Sequence, residues 1–283
     1  MGVKSYRSTG GNILITLILA AVAVFMALPL VYTITMAFKP LDELFLFPPR
    51  FFVRRPTFKN FTDLFSLMGN SYVPFSRYIF NSLFISIVGT VGHVLLASMA
   101  AYPLAKHRFP GSNLLFNIIV FSLMFSAYVT NIPRFMVLSG LGWLNDYKAL
   151  IFPMMSSTLG LYLMRQFMEQ IPDSLLESAK VDGANELTTW WRIVMPMVKP
   201  AWLTLTLLAF KDFWNDSNSP ALYIHTESLK TLPLALSYVQ AGGLARAGAS
   251  AAVGLLMMLP PILIFILTQS NVIETMKTSG LKE

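Results

Sequence analysis

Long apolar runs separated by short polar segments dominate this sequence. No charged residue lies between Arg7 and Lys39, and none lies between Arg246 and Glu274. Because about 20 apolar residues carry a helix across the hydrocarbon core of a bilayer, the pattern predicts an all-α membrane protein with six transmembrane helices. The predicted spans cover residues 13–38, 78–105, 113–133, 147–168, 198–218 and 249–270.

Two of the six runs are weak. The charge-free core of the fourth run, 149–164, has only 16 residues, and that of the fifth run, 200–210, has only 11. Lys148 and Arg165 can extend their long side chains to opposite interfaces and complete the fourth crossing. The fifth run must continue through the charged residues that follow it to reach the length of a span.

The remaining segments complete the predicted organisation. Residues 1–12 form a short basic head, residues 274–283 form a short tail, and residues 13–273 form one six-span domain. The first run is longer than the apolar core of a signal peptide, which predicts an uncleaved span.

Composition excludes several classes of function. Of the 283 residues, 55% are hydrophobic and 12% are charged, whereas a soluble domain has about 25% charged residues. The sequence has no cysteine, so neither a disulfide framework nor thiolate chemistry is available. The net charge of +7 comes from basic residues between apolar runs, which favours contact with lipid headgroups over nucleic acid.

Candidate chemistry is sparse. The three histidines, at positions 93, 107 and 225, do not have the spacing of metal ligands, and no glycine-rich phosphate loop ends in Gly-Lys-Ser or Gly-Lys-Thr. We therefore expect no catalytic group, metal or cofactor on this chain. For His93, inside the second run, we expect a hydrogen bond to a neighbouring helix rather than a functional role.

The stretch from Glu169 to Pro200 is the longest charge-dense segment of the chain. Asp182-Gly183 predicts the end of one short helix, because glycine adopts the left-handed conformation that closes a helix. Asn185 predicts the N-cap of a second helix. A pair of amphipathic helices lying on the lipid surface would have the same pattern. The second helix carries an apolar stripe at helical spacing: Leu187, Trp190, Trp191 and Val194.

The residues of this stretch resemble the EAA loop of ABC importer permeases. In that family the loop reads Glu-Ala-Ala, has a glycine four residues after the last alanine, and ends in Ile-x-x-Pro or Ile-x-Leu-Pro. Here Glu177-Ser178-Ala179 is followed by Gly183, and the loop ends with Ile193-Val194-Met195-Pro196. Serine replaces the middle alanine and methionine replaces leucine. The likeness is specific because a small residue, a glycine and a proline all fall in register.

The likeness covers roughly residues 30–283 and points to the carbohydrate branch of these permeases, in particular the maltose-type second permease subunit. Lys211-Asp212 is more charged than that branch leads us to expect. The segments that carry the wider likeness are Asn81-Ser82-Leu83, residues 100–105, 108–111 and 141–146, residues 163–167, Ile171-Pro172, Trp214-Asn215-Asp216 and residues 231–234.

The resemblance implies both topology and partners. It implies that residues 171–196 form a cytoplasmic helix-turn-helix coupling loop between the fourth and fifth spans of a multi-pass protein of the cytoplasmic (inner) membrane. Both termini would be cytoplasmic. Charge alone does not fix this orientation, because 10 of the 21 Lys and Arg residues fall on one side and 11 on the other. The implied partners are a second, different permease subunit, a cytoplasmic ABC ATPase dimer that binds ATP and Mg, and an extracytoplasmic solute-binding protein.

Two groups of candidate site residues follow. The resemblance implies that Gly183 sets the bend of the loop and, with Ala179, permits close backbone approach, while Glu177 contacts the ATPase or braces the loop. It assigns ATPase coupling to Glu177, Ser178, Ala179, Asp182, Gly183, Ala184, Ile193 and Pro196. Polar side chains in or near the spans are candidates for the substrate path: Asn81, Tyr128, Asn131, Lys211, Asp212, Trp214 and Asn215.

Alternatives remain for both the path and the function. Trp214 with Asp212 or Asn215 would give the aromatic platform and polar groups of a sugar site, but Lys211 and Trp214 are also typical interface anchors. Import of a sugar or oligosaccharide by alternating access is favoured, and a polyol or glycerol phosphate is the nearest alternative cargo. A secondary transporter predicts inverted repeats and intramembrane carboxylates, but the sequence shows no such repeat and Asp212 stands alone. A membrane enzyme needs converging acid-base groups, and His93 is isolated.

Overall fold

The computed structural model describes residues 9–69, 72–125 and 127–279, without the side chains of Thr9, Asn12, Ala127, Tyr128, Ala245 and residues 270–279. Most of the predicted head (residues 1–12) therefore lies outside the described residues. So do all side chains of the predicted tail (residues 274–283). Regular structure in the described residues is helical, with no strand. The α-helices are α1 (Thr9–Ala37), α2 (Leu41–Leu44), α3 (Lys59–Gly69), α4 (Phe75–Lys106), α5 (Ser112–Ser122), α6 (Ala127–Gly140), α7 (Tyr147–Met155), α8 (Thr158–Glu169), α9 (Asp173–Val181), α10 (Glu186–Thr189), α11 (Met195–Met197), α12 (Lys199–Asn215), α13 (Asn218–Tyr223), α14 (Leu232–Gln240) and α15 (Ala247–Ser279).

Three helices in the described part of the chain are long and apolar enough to cross a membrane. They are Ile13–Ala37 within α1, Phe75–Lys106 and Ala247–Gln269 within α15. The helical segments Glu186–Met197 and Lys199–Asn215 add a fourth candidate if they are counted together, although they meet at an angle of 81°. The prediction of an all-α membrane class is thus confirmed, with three to four candidate spans.

The third and fourth predicted spans are each divided into two shorter helices. Over 113–133 the sequence predicts one helix, but α5 ends at Ser122, and α6 runs from Ala127 through Pro133 to Gly140. The break follows a turn at residues 123–124.

Over 147–168 the chain is divided between α7 and α8. Ser156 and Ser157 separate the two helices. Pro153 lies in the last turn of α7 and has no N–H to donate. The hydroxyl of Ser156 donates to the Pro153 carbonyl at 2.9 Å, a local bond of the kind that competes with helix continuation.

The described residues form two compact units. One comprises those within 1–70 and 239–256, and the other comprises those within 71–238 and 257–283. In the first unit, buried polar side chains fold the loop after α1 back onto the end of that helix. Asn60 donates to the carbonyls of Ala37 (2.9 Å) and Lys39 (2.7 Å). Buried Glu43 accepts backbone N–H bonds, chiefly from Arg54, which lower the pKa of its carboxyl group.

The second unit is built around α4. Buried residues of α4, α8 and α12 form its main apolar cluster, into which the end of the loop after α9 is also packed. Two glycines allow this close packing. A Cβ on Gly160 of α8 would lie 2.3 Å from Nε2 of His93 on α4, and a Cβ on Gly89 of α4 would lie 2.3 Å from the Phe213 ring. The site residues described below are positioned by these three helices.

Gly160→Ala should destabilise the protein by forcing α4 and α8 apart. Overpacking of this kind typically costs about 1–3 kcal/mol, and we expect a lower thermal midpoint in detergent. Gly140→Ala is the matched control, because a Cβ there meets nothing within 4 Å. Equal midpoints for the two variants would show that the α4–α8 contact is not limiting for stability.

Candidate functional site

The first candidate site is the loop between α8 and α12. Pro172 precedes α9, and the helix ends in a Schellman motif. The N–H of Gly183 donates to the Lys180 carbonyl at 3.1 Å, and the N–H of Ala184 donates to the Ala179 carbonyl at 3.0 Å. Gly183 has φ = +82°, so the predicted left-handed bend is confirmed.

The second helix of the loop is short and changes type. Asn185 is its N-cap, as predicted, and its side chain accepts from the Thr188 N–H at 2.8 Å. After α10 the backbone forms a π turn over Trp190–Val194, in which the Met195 N–H donates to the Trp190 carbonyl. A π turn adds one residue to a helical turn and therefore shifts the register of side chains across it.

The predicted apolar stripe is divided by this turn. Trp190 and Val194 are buried in the main cluster, whereas Leu187 is 65% exposed and Trp191 is 55% exposed. The sequence predicts one face, but the structure has two apolar pairs that face different surroundings. Exposed apolar side chains on an otherwise polar loop are available for contact with a partner or with the lipid surface.

The residues assigned to ATPase coupling lie together on this loop. Ala179 is buried beneath it, and Ala184 and Ile193 are half-buried. A Cβ on Gly183 would meet nothing within 4 Å. Within this chain, glycine is therefore favoured at position 183 by its left-handed backbone conformation, and not by the close approach of another segment. The exposed members of the set are Glu177, Ser178, Asp182, Gly183 and Pro196.

Polar side chains at the end of α4 hold the loop. Nζ of Lys106 lies 2.8 Å from Oδ1 of Asp173, and this hydrogen bond and the lysine charge hold the pKa of Asp173 below its ordinary value of 3.8. The Tyr102 hydroxyl donates to Oε2 of Glu186 at 3.0 Å, and Nε2 of His107 lies 3.4 Å from the same oxygen. A pocket of about 250 Å³ lies among these groups.

The second candidate site consists of two neighbouring cavities, of about 360 and 780 Å³, in the second unit. Arg134, Met154 and Asp212 line both of them. The first cavity also contains His93 and the Ser156–Thr158 break between α7 and α8. Its walls thus come from α4, α5, α6, α7, α8 and α12 and from this break.

Four of the predicted path residues meet in the second cavity. They are Asn131, Lys211, Asp212 and Asn215. Nζ of Lys211 lies 3.3 Å from Oδ1 of Asp212, and both side chains are more than half exposed. The side chain of Tyr128, a fifth candidate, lies outside the described residues.

Two predicted path residues lie elsewhere and have structural partners. Asn81 is fully buried and donates to the carbonyls of Ser228 (2.9 Å) and Lys230 (2.8 Å), while its own oxygen accepts from Tyr147. Trp214 is 2% exposed and donates to the Met257 carbonyl at 3.1 Å. In a regular helix that carbonyl accepts from residue 261, which is proline here and has no N–H. Neither side chain is among those that line the two cavities.

Arg134 and Asp216, which were not among the predicted path residues, complete the charges of the second cavity. Arg134 lies inside α6, and a cation within an apolar run is itself a signal of a functional position. His93 forms the predicted bond to a neighbouring helix, since its Nδ1 lies 2.7 Å from the Met155 carbonyl. It nevertheless also lines the first cavity.

Comparisons with known proteins agree on one family. A family model described as "Binding-protein-dependent transport system inner membrane component" matches residues 11–278. The chain is 35% identical to Protein LplC of Bacillus subtilis (strain 168) over 227 residues, which cover 79% of this chain and 73% of that protein. It is 31% identical to the sn-glycerol-3-phosphate transport system permease protein UgpE of Yersinia enterocolitica over 204 residues (71% and 73%).

Two further matches concern polysaccharides. The polygalacturonan/rhamnogalacturonan transport system permease protein YtcP of Bacillus subtilis (strain 168) is 32% identical over 207 residues, which cover 72% of this chain and 68% of that protein. A chain in the crystal structure of a bacterial ABC transporter that imports the acidic polysaccharide alginate has the same fold, with a TM-score of 0.76 and 23% identity. That match covers 94% of this chain and 99% of the other.

The Lys106–Asp173 pair should make stability depend on pH in one direction. A carboxyl group whose pKa is lowered by folding stabilises the fold above its unfolded pKa, and this contribution is lost as the pH falls through the folded value. The difference in thermal midpoint between wild type and Asp173→Asn should therefore stay constant between about pH 5 and 8 and shrink below 3.8. In a Lys106→Met background, the pH dependence of this difference in thermal midpoint should disappear. If it persists there, the pH dependence belongs to a group other than the Lys106–Asp173 pair.

Proposed function

Because the chain belongs to the family of binding-protein-dependent transport system inner membrane components, we propose that it is a permease subunit of an ATP-driven ABC importer for a sugar or oligosaccharide. The observation that carries this proposal is the loop between α8 and α12. Its base is packed among α4, α8 and α12, and its tip presents Glu177, Gly183 and exposed apolar side chains. A loop of this construction transfers force between an external partner and the spans.

The proposed topology has six spans in the cytoplasmic (inner) membrane. α5 with α6 forms the third span, α7 with α8 the fourth, and α12 the fifth. Broken helices are tolerated at membrane depth where they line a cavity, and the break between α7 and α8 does so. Both termini and the loop at 171–196 then lie in the cytoplasm.

The loop docks on one subunit of a cytoplasmic ABC ATPase dimer. The apolar contact comes from Leu187 and Trp191 together with Val181, which is 87% exposed, and Glu177 adds a polar contact. ATP and Mg bind to that ATPase and not to this chain. A second, different permease subunit completes the membrane part, and an extracytoplasmic solute-binding protein delivers the cargo.

The charges of the second cavity favour a neutral, hydroxyl-rich cargo. Arg134 and Lys211 are balanced by Asp212 and Asp216, so this half of the path has no excess cation for a phosphate group, whose recognition relies on charge-assisted bonds. Asn131 and Asn215 add neutral donors and acceptors. The YtcP relative is named for the transport of polygalacturonan and rhamnogalacturonan, which supports a saccharide cargo; because polygalacturonan is acidic, the argument for a neutral saccharide comes from the cavity charges alone.

Glycerol phosphate is the second candidate cargo because of the similarity to UgpE. To distinguish the saccharide from the glycerol phosphate hypothesis, the complex is purified in mild detergent and its subunits are identified by mass spectrometry. The co-purified solute-binding protein is then tested by thermal shift with arabino-oligosaccharides, oligogalacturonate and sn-glycerol-3-phosphate. Stabilisation by a saccharide supports the proposal, stabilisation by glycerol phosphate alone changes the cargo, and recovery of this chain without an ATPase would refute the importer.

Gly183→Val should uncouple ATP hydrolysis from transport in the assembled importer. A β-branched residue at φ = +82° is strained, so the bend between the two loop helices would change. We expect ATP hydrolysis to continue while transport per ATP falls by roughly tenfold or more. Normal transport by this variant would contradict the role of Gly183.

Gly183→Asn separates the two possible reasons for the glycine. Asparagine tolerates the left-handed conformation but fills the space into which a partner backbone would move. Recovery of coupling in Gly183→Asn would assign the requirement to the bend, because a Cβ meets no atom of this chain. A defect equal to that of Gly183→Val would assign it to close approach of the ATPase.

A further inference from the structure

Two basic side chains, one from α4 and one from α8, each donate to backbone carbonyls at the C-terminal end of the other helix, just before the coupling loop begins. Arg165 of α8 donates from Nε to the carbonyl of Leu104, in the last turn of α4, at 3.2 Å. Lys106, the last residue of α4, donates from Nζ to the carbonyls of Glu169, at 3.4 Å, and Ile171. Last-turn carbonyls have no partner in their own helix, and a cation there also meets the negative end of the helix dipole. The C-termini of α4 and α8 are therefore joined by reciprocal capping.

The lysine extends this junction to the first helix of the coupling loop. Its Nζ lies 2.8 Å from Oδ1 of Asp173, the first residue of α9. Only 5% of the Lys106 side chain is exposed, whereas 73% of the Asp173 side chain is exposed. Water can replace the exposed carboxylate, but a carbonyl beside the buried ammonium would lose its partner. The bonds to Glu169 and Ile171 thus set the direction in which α9 leaves α8.

A second contact joins α4 to the other helix of the loop. The Tyr102 hydroxyl and the His107 ring both contact the carboxylate of Glu186, the first residue of α10. Both loop helices are therefore held by the last two turns of α4, which is distant from the loop in sequence. Their covalent connections to α8 and α12 are not their only link to the spans.

The same helix also reaches the first cavity. His93 lines that cavity and lies 13 residues before Lys106 in the unbroken α4, a distance of about 20 Å at 1.5 Å per residue. Its Nδ1 contacts the free carbonyl of Met155 at the end of α7. α4 is thus bonded at one end to the coupling loop and, farther along, to the break in the cavity wall.

We propose that α4 transmits the movement of the coupling loop to the cavity, and that Lys106 is the positioning residue that couples the two. This inference rests on the ATPase-coupling role proposed above. The alternative is transmission through α8 or α12 alone. These two helices are joined to the loop by the chain itself, so transmission through them would not require the buried Lys106 ammonium. Contacts between the loop, α4 and the cavity do not by themselves establish this role, so the test must measure the coupling between the loop and the cavity.

The test uses the assembled importer and the absence of cysteine from this chain. In a Ser157→Cys variant, whose new thiol lies in the wall of the first cavity, a water-soluble maleimide reports access to that cavity, and labelling of this chain is followed on its own gel band. We expect the labelling rate to change several-fold when ATP and vanadate are added. Lys106→Met should bring the labelling rates with and without ATP and vanadate to within about twofold of each other, while ATP hydrolysis and co-purification of the ATPase continue.

Three further variants identify the chemistry. Lys106→Arg keeps a cation with several N–H donors and should retain most of the ATP-dependent change. Lys148→Met removes an exposed lysine paired with Asp146 at 3.6 Å, and should leave the change intact. Asp173→Asn should have a small effect, because the buried carbonyl contacts persist.

The outcomes separate this inference from the proposed function. An unchanged response in Lys106→Met, or an equal defect in Lys106→Arg, would overturn the role of Lys106. Loss of the response together with loss of the ATPase from the complex would assign the lysine a purely structural role and would also overturn it. Lys106→Gln, which retains donors without the charge, is measured in parallel in case Lys106→Met does not accumulate, and should give an intermediate response. No ATP-dependent change in the parent complex would instead contradict the coupling role of the loop.

Discussion

Free backbone carbonyls at helix ends are the constraint on which the second unit depends. In apolar surroundings such a group is costly unless a donor reaches it, and here side chains supply the donors. His93 meets the carbonyl at the end of α7, Arg165 meets one in the last turn of α4, and Lys106 meets those after α8. Trp214 does the same for the carbonyl that Pro261 leaves free in α15. Each of these side chains also brings two helices together, so capping and tertiary packing are achieved by the same bonds.

This explains which parts of the structure could be predicted from the sequence. Hydrophobic runs report apolar surroundings, and the three candidate spans Ile13–Ala37, Phe75–Lys106 and Ala247–Gln269 coincide with the runs predicted at 13–38, 78–105 and 249–270. The bend at Gly183 and the cap at Asn185 were also predictable, because backbone geometry and one side-chain bond determine them. The break inside the fourth run was not, since the carbonyl at the end of α7 is met by His93 from a distant helix. The break inside the third run follows a local turn at 123–124 that its apolar sequence does not indicate. Ser156 and Ser157 are unremarkable in the sequence, and their position becomes meaningful only beside His93.

The candidate cavity shows the same limit. Lys211, Asp212, Asn131 and Asn215 could be selected as polar groups in apolar runs, and they do meet. Asn81 and Trp214 were selected by the same rule, but their polar atoms are occupied by backbone carbonyls. Residue type alone does not separate a group that faces a cavity from one that completes a helix end. Arg134 shows the converse, because its place at the end of a predicted span concealed its position in both cavities.

The π turn at Trp190–Val194 has a consequence for how this protein can diverge. By shifting the register, it places Leu187 and Trp191 on the exposed side while Trp190 and Val194 remain in the core. Without the extra residue all four would share one face, and any exchange that suited a new partner would also disturb the interior. With it, the outward pair can be exchanged one residue at a time while the interior is conserved. The extra residue of the π turn thereby allows the outward surface to vary without disturbing the interior.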